Sequence, residues 1–198
     1  MNPFDYETLS VLMKEYRDCN DIKGIRDTWN YILEHRPLDA REWREWIADD
    51  LESVSDLYKR ATQDSVDVEL WEEYLDYLQS DLGQSDLGAE LIRAINGPGN
   101  HFCHGQKIWS KYLSYLIDRY QPAQEENVRR EFYKRAEMLM NDSSFDSLLV
   151  LYSGFETRVG TDYESKMKKF NGIVYKQRME CKKRDVYESK LLEVFRIV

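Results

Sequence analysis

An all-α fold, a right-handed α-solenoid of antiparallel helix pairs, is what the sequence predicts, on three observations. Apolar and aromatic residues recur at helical spacing along nearly the whole chain. Helices marked by bulky residues alternate with helices marked by a small one. Turn-forming residues are scarce, with 9 Gly and 4 Pro in 198 residues, and long gaps without either favour helices over a many-stranded fold.

The bulky kind is clearest at Trp71, Tyr74, Leu75 and Leu78, which stand at i, i+3, i+4 and i+7 on one side of a helix. Trp109, Tyr112, Leu113 and Leu116 repeat the pattern with the same residue types. Trp43, Trp46 and Ile47 begin it again, with Asp50 in the fourth place and Leu51 beside it, and a weaker echo runs through Leu148, Tyr152, Phe155 and Val159. The small kind lies between these helices. Tyr58-Lys59-Arg60-Ala61 matches Tyr133-Lys134-Arg135-Ala136, with Leu91-Ile92-Arg93-Ala94 as a looser copy. The Ala lets a neighbouring helix approach, the aromatic fills the adjacent groove, and the Arg stem crosses apolar surface while its head stays in water.

Trp43, Trp71 and Trp109 are 28 and 38 residues apart, and Ala61, Ala94 and Ala136 are 33 and 42 apart. Periods in this range, with two helices per unit, mark stacked helical repeats. The spacing predicts one array over 1–198, in about five pairs at 5–37, 41–64, 68–97, 105–141 and 144–180. In the opening pair, helices are expected at 5–18 and 22–36, with Ile25, Trp29, Ile32 and Leu33 facing inward. Pro37 stops the second, since proline cannot supply the next helical hydrogen bond. A second helix of the fifth pair is expected at 162–180. A final helix at 185–198, ending uncapped at Phe195-Arg196-Ile197-Val198, would begin a truncated next repeat. Gly83 to Gly88 and Gly97-Pro98-Gly99-Asn100 supply turns, and Pro122 opens a helix.

Composition narrows the function. No basic-then-apolar start marks Met1 to Glu7 as a secretory signal, and no run of about 18 apolar residues spans a membrane. Cys19, Cys103 and Cys181 are odd in number and widely spaced, as free thiols in a reducing compartment would be. The net charge of −9 is unevenly spread. Residues 166–198 carry ten Lys or Arg against four Asp or Glu, and the preceding 165 hold 18 against 33. That acidic body repels phosphate backbones. Lys166, Lys168, Lys169, Lys176, Arg178, Lys182, Lys183 and Arg184 form the one basic stretch where an acidic partner or RNA could dock. The plainer reading is a solvated helix face.

Nothing points to catalysis, a cofactor or a metal. His101, Cys103 and His104 lack the fourth ligand of a closed zinc site and read as an inter-helix loop. Acidic neighbours such as Asp49-Asp50, Glu72-Glu73 and Glu125-Glu126 point about 100° apart on a helix, so they do not share a site; solvated faces explain them. His35 has no companion nucleophile, and phosphate-binding Gly-rich loops are missing. The repeated aromatics could stack bases, but they fall on the face that must be buried between helices, so core packing is expected.

These paired signatures resemble the half-a-tetratricopeptide (HAT) repeat, which places Trp-x-x-Tyr on one helix and aromatic-x-Arg-Ala on the next. The first is Trp71-x-x-Tyr74 and Trp109-x-x-Tyr112, with Trp43-x-x-Trp46 as a variant. The second is Tyr58-x-Arg60-Ala61 and Tyr133-x-Arg135-Ala136, with Ala94 in the looser copy. The resemblance spans about residues 5–180. Residues 69–113, with Leu70-Trp71-Glu72-Glu73-Tyr74 and Gly99-x-His101-x-x-x-Gly105 before Ile108-Trp109, further resemble the N-terminal HAT region of animal U4/U6 recycling factors. Such a resemblance implies a nuclear protein-interaction scaffold in pre-mRNA splicing that holds spliceosomal snRNP components. RNA-recognition domains lie beyond the array in that family, so RNA contact here is expected to be weak or indirect. Rival expectations are a HAT scaffold of mRNA 3′-end cleavage and polyadenylation or ribosomal RNA processing, and a tetratricopeptide-like peptide adaptor. The adaptor would need inward Lys, Arg and Asn clamps in a repeating register, which the sequence does not display.

Overall fold

The computed structural model describes residues 5–80, 87–138 and 141–195. Among them are ten α-helices and no strand. In order these are α1 (Tyr6–Cys19), α2 (Ile22–His35), α3 (Ala40–Asp49), α4 (Val54–Asp64), α5 (Val68–Ser80), α6 (Leu87–Asn96), α7 (Gly105–Asp118), α8 (Glu125–Glu137), α9 (Asp142–Val159) and α10 (Tyr163–Phe195). The chain divides into two compact units, Met1–Tyr74 and Leu75–Val198, with the boundary inside α5.

At the starts of α1, α2 and α3 the capping residue is an aspartate. Asp5 accepts from the Thr8 amide and Asp21 from the Gly24 amide. At α3, Asp39 accepts from the Glu42 amide at 2.8 Å while Glu42 accepts from the Asp39 amide at 3.0 Å, a reciprocal capping box. Asn20 ends α1 in the left-handed region at φ 54. Ahead of Pro37, α2 stops at His35 and Arg36 turns extended, because the proline ring disfavours helical backbone in the residue before it. Trp29, Trp43 and Trp46 pack face to face, Trp46 lying 6.1 Å from Trp29 and 5.4 Å from Trp43. Ile25, Ile32, Leu57, Ala61 and Leu70 close the core around them.

In the second unit, α7 packs against α6, α8 and α9, and α8 packs against α9 and α10. The turn before α7 depends on two glycines. A Cβ on Gly105 would lie 2.3 Å from the Gly99 carbonyl oxygen, and one on Gly99 would press on Trp109 at 3.3 Å. At Gly105 only hydrogen fits against the Gly99 backbone, whereas a side chain at Gly99 would make its neighbours give slightly. Phe132, Tyr152, Phe155 and Phe170, all fully buried, form an edge-to-face and stacked cluster joining α8, α9 and α10.

Two expectations are corrected here. No break divides α10 near residue 181; the helix runs from Tyr163 to Phe195. Cys181-Lys182-Lys183-Arg184 contains neither Gly nor Pro, and Lys and Arg are good helix formers, so nothing stops the helix. The acidic neighbours are also more than solvated faces. Asp50 is 1% exposed and binds Arg26, while Asp49 binds Arg17. Glu125 and Glu126, four and three residues before Arg129, both converge on that guanidinium. Of the turns, residues 83–86 of the Gly83 loop lie outside the described residues, as do residues 196–198.

Candidate interaction surface and family

The repeated signature builds one local device. In the α3–α4 pair, the Arg60 guanidinium lies over the Trp46 ring at 4.9 Å and the Trp43 ring at 5.9 Å, and donates to Asn30 Oδ1 at 3.1 Å. In the α7–α8 pair, the Arg135 guanidinium lies over Trp109 at 5.7 Å and donates through Nε to Gln106 Oε1 at 3.0 Å. A cation on the face of an aromatic ring gains from the ring quadrupole, the more so once water is excluded. Arg135 is fully buried, and that burial pushes its pKa down to about 10.

A third copy escaped the sequence reading. In the α9–α10 pair, Arg178 lies over Phe145 at 5.6 Å and pairs with Asp146. Phe145 is 1% exposed and stands three residues before Leu148, as Trp71 and Trp109 stand three before Tyr74 and Tyr112. The letters differ because Phe replaces Trp, and Met179 follows Arg178 where Ala follows the other arginines. The aromatic-to-Arg geometry survives that drift.

Trp43, Trp46, Ala61, Trp71, Tyr74, Ala94, Trp109, Tyr112 and Ala136 are all buried, and Tyr58 and Tyr133 are partly buried. Tyr58 stacks on Tyr74 at 5.5 Å. Trp71 donates its indole N–H to the Ser65 carbonyl at 2.9 Å.

Charged side chains tie the pairs together. Glu156, with no exposed surface, accepts from Arg129 Nε at 2.6 Å and Nη2 at 2.8 Å. Burial works to raise the Glu156 pKa, but hydrogen bonds from Arg129 and Tyr152 outweigh it and hold the carboxyl below its ordinary value. Burial likewise raises the Tyr152 phenol, and its bonds to Glu156 and Tyr133 add to the rise. In the first unit, the Arg26 hydrogen bond holds Asp50 below the usual carboxylate range. Arg44 spans to Asp67 at 3.0 Å and Glu73 at 2.8 Å.

With the signature buried, contact surface is left to grooves and outward helix faces. Leu9, Met13, Trp29 and Ile32 floor a groove of about 380 Å³ bordered by Arg17 and Glu45. In the second unit, a groove of about 410 Å³ takes in Tyr112, Tyr115, Arg119, Asn127 and Arg130. Its Arg119 guanidinium lies 4.1 Å from the Tyr115 ring. An apolar floor in the first groove, and amides, phenols and charged groups in the second, suit a polypeptide partner, held by shape and hydrogen bonds.

The basic stretch is less uniform than its composition. Lys166 pairs with Glu126 at 3.5 Å, Arg178 with Asp146, and Lys183 with Glu180 at 2.7 Å. Lys169 lies over Tyr133 at 5.0 Å, and Arg184 is half-buried. Lys168, Lys176 and Lys182 are exposed. His101 and His104 stack at 5.1 Å, with the His104 amide donating to His101 Nδ1. Among the described residues no cluster of three or more His, Cys, Asp or Glu is placed to hold a metal ion. No helix among them is long and apolar enough to cross a membrane.

The family model described as Suppressor of forked protein (Suf) matches residues 1–183. Relatives include the spliceosome associated factor 3, U4/U6 recycling protein of Mus musculus, 26% identical over 68% of this chain and 15% of the relative. The mRNA 3′-end-processing protein RNA14 of Gibberella zeae is 27% identical over 77% of this chain and 17% of the relative. Protein suppressor of forked of Drosophila melanogaster is 23% identical over 84% of this chain and 23% of the relative. The chain therefore spans less than a quarter of the curated relatives it matches. From the paired-helix device, the buried signature and the match over almost its whole length, the chain belongs to the Suppressor of forked family of HAT-repeat proteins, which are scaffolds of RNA processing and not enzymes.

Proposed function

We propose that the chain is a nuclear protein-binding segment that holds spliceosomal components during re-formation of the U4/U6 particle. One observation carries the scaffold part of this reading. The signature aromatic and arginine side chains are taken up in helix packing, while grooves remain open beside them. Binding at such surfaces positions partners and requires no bond-making chemistry. The choice of U4/U6 is supported by the named role of the splicing relatives, together with the Gly99 and Gly105 turn before Trp109.

A second reading has its own support. The matching family model and the RNA14 relatives favour a scaffold in mRNA 3′-end processing. Affinity purification of the tagged chain from nuclear extract separates the two. Enrichment of U4 and U6 RNAs with their proteins supports the first reading. Enrichment of cleavage and polyadenylation subunits without those RNAs replaces it with the second, and recovery of neither set refutes both.

A further inference from the structure

We propose that the cleft holding Arg60, lined by α2, α3 and α4, is a socket for a single acidic side chain, Asp or Glu, presented by a partner polypeptide. The proposal rests on the scaffold reading but not on the choice of complex. The cleft lies inside the first unit. On one side α1 packs against α2, and on the other Tyr74 of α5 stacks on Tyr58 of α4, so the opening is not an end face of the stacked helices.

An unclaimed cation carries it. Residues 1–74 hold 19 Asp or Glu against nine Lys or Arg, so acids are abundant and cations scarce. Arg17, Arg26, Arg36, Arg41 and Arg44 each pair with a carboxylate. Arg60, the remaining arginine of the unit, has no carboxylate partner among the described residues and donates to the neutral Asn30 Oδ1 at 3.1 Å. Lys59, which lines the same cleft, forms no ion pair among them either. The Arg60 guanidinium is nevertheless held in place. It lies over the Trp46 ring at 4.9 Å, and Asn30 is fixed in turn, its Nδ2 donating to the Arg26 carbonyl at 2.8 Å. A planar donor oriented before its ligand arrives loses little freedom on binding. In the α7–α8 pair the matching Arg135 has no exposed surface, so the fold is able to seal this position with its own atoms. Over α4 it leaves the position open, in a cleft of about 470 Å³.

Charge selects the occupant. Arg26 also borders the cleft but is engaged by Asp50 and Glu52, so the charge on offer is that of Arg60 and Lys59. A carboxylate matches the planar fork of guanidinium donors and brings one negative charge. Trp46 and Leu57 give the site apolar wall for the methylenes that carry it. A phosphoryl group brings nearly two charges and would meet Asp56, an exposed acid of the cleft wall. A nucleic-acid strand would have to run its other phosphates over a unit in which acids outnumber cations. The pocket therefore favours one carboxylate on a polypeptide over either phosphate source.

The test titrates the whole 15N-labelled chain and follows the side-chain N–H signals of Arg60 and Trp46 by NMR. Its probes are a short capped Gly-Ser peptide with one central Glu, the same peptide with Gln, the same with phosphoserine, and oligouridylate. The Glu peptide should shift both signals saturably at about millimolar concentration, less so as salt rises, and the Gln peptide should leave them in place. Lys59→Glu, which changes one half-buried side chain, should weaken the Glu peptide at least about tenfold at an unchanged Tm. Arg60→Met keeps a stem on Trp46 and should abolish the Trp46 shift; Lys59→Glu decides the matter alone if that variant fails to fold. The proposal is overturned if the Glu peptide gives no saturable shift, if the Gln peptide matches it, or if binding survives Lys59→Glu. Tighter binding of the phosphoserine peptide or of oligouridylate at these signals, or a dimer in sedimentation that Lys59→Glu dissolves, would overturn it too. Titration of the purified chain keeps its failure distinct from failure of the co-purification.

Discussion

Arg60 on α4 and Arg135 on α8 hold the same place in the signature, yet their surroundings differ. Arg60 is half-buried and lines a cleft of about 470 Å³ with Arg26, Asn30 and Trp46. Arg135 is sealed completely, with a single amide acceptor at Gln106 and the Met138 sulfur 4.0 Å away. The motif thus sets where the guanidinium sits, over the aromatic of the paired helix. What covers it afterwards sets how much water it keeps. Within each unit, the neighbouring helices convert one residue type into a wetted clamp in one place and a desolvated one in the other.

The comparison can be broken most forcefully at its floor. Trp46→Ala and Trp109→Ala should each cost about 3–5 kcal/mol, because both leave cavities in close-packed cores. Urea unfolding of the two variants measures this. Equal stability to the parent in either would mean that its ring is not packed as described.

Arg129→Ala should cost a similar or slightly smaller amount, about 3–5 kcal/mol, by stranding Glu156 in the core. The same pair predicts a pH dependence. Glu156 and Asp50 have folded pKa values below their ordinary ones. Their stabilisation is therefore present above the ordinary carboxylate range, near pH 4, and is lost as pH falls through the lowered folded values. Thermal melts from neutral pH downward should show this acid loss, and Glu156→Gln should flatten it.

A smaller effect sharpens the contrast. Gln106→Leu leaves the sealed Arg135 without its amide acceptor and should cost about 1–3 kcal/mol. Asn30→Leu should cost under about 1 kcal/mol, because water in the cleft can replace the lost bond to Arg60. Chemical unfolding of the two variants compares them, and equal costs would remove the distinction between wetted and sealed clamps.

How much of this was legible in the sequence depended on range. Trp71, Tyr74, Trp109 and Tyr112 advertised their helices through local spacing, and Pro37 announced a helix end. Arg60 and Arg135 were legible as stem-burying residues, but the expectation that their heads stay in water fails at Arg135. Its burial follows from what packs over α8, which no local window contains. The stack of Arg178 on Phe145 went unread, Arg178 being taken only as part of the basic stretch, because substitution changed the letters while keeping the geometry. Glu156 reaches its partner 27 residues away, so nothing in its neighbourhood marked it as buried. Asp50 was misread for the same reason, since its arginine lies 24 residues away, whereas the Glu125 and Glu126 pairing with Arg129 follows helical spacing that was there to be read.

The most direct test of the central claim, that the repeated residues clamp helices together, is a double-mutant cycle between Trp109 and Arg135. Unfolding free energies of Trp109→Leu, Arg135→Met and the double variant give the coupling. The clamp predicts a favourable coupling of about 1–2 kcal/mol, as a desolvated cation over an indole should give. A coupling of zero would mean that the two residues merely coincide in space, and the signature would need another explanation.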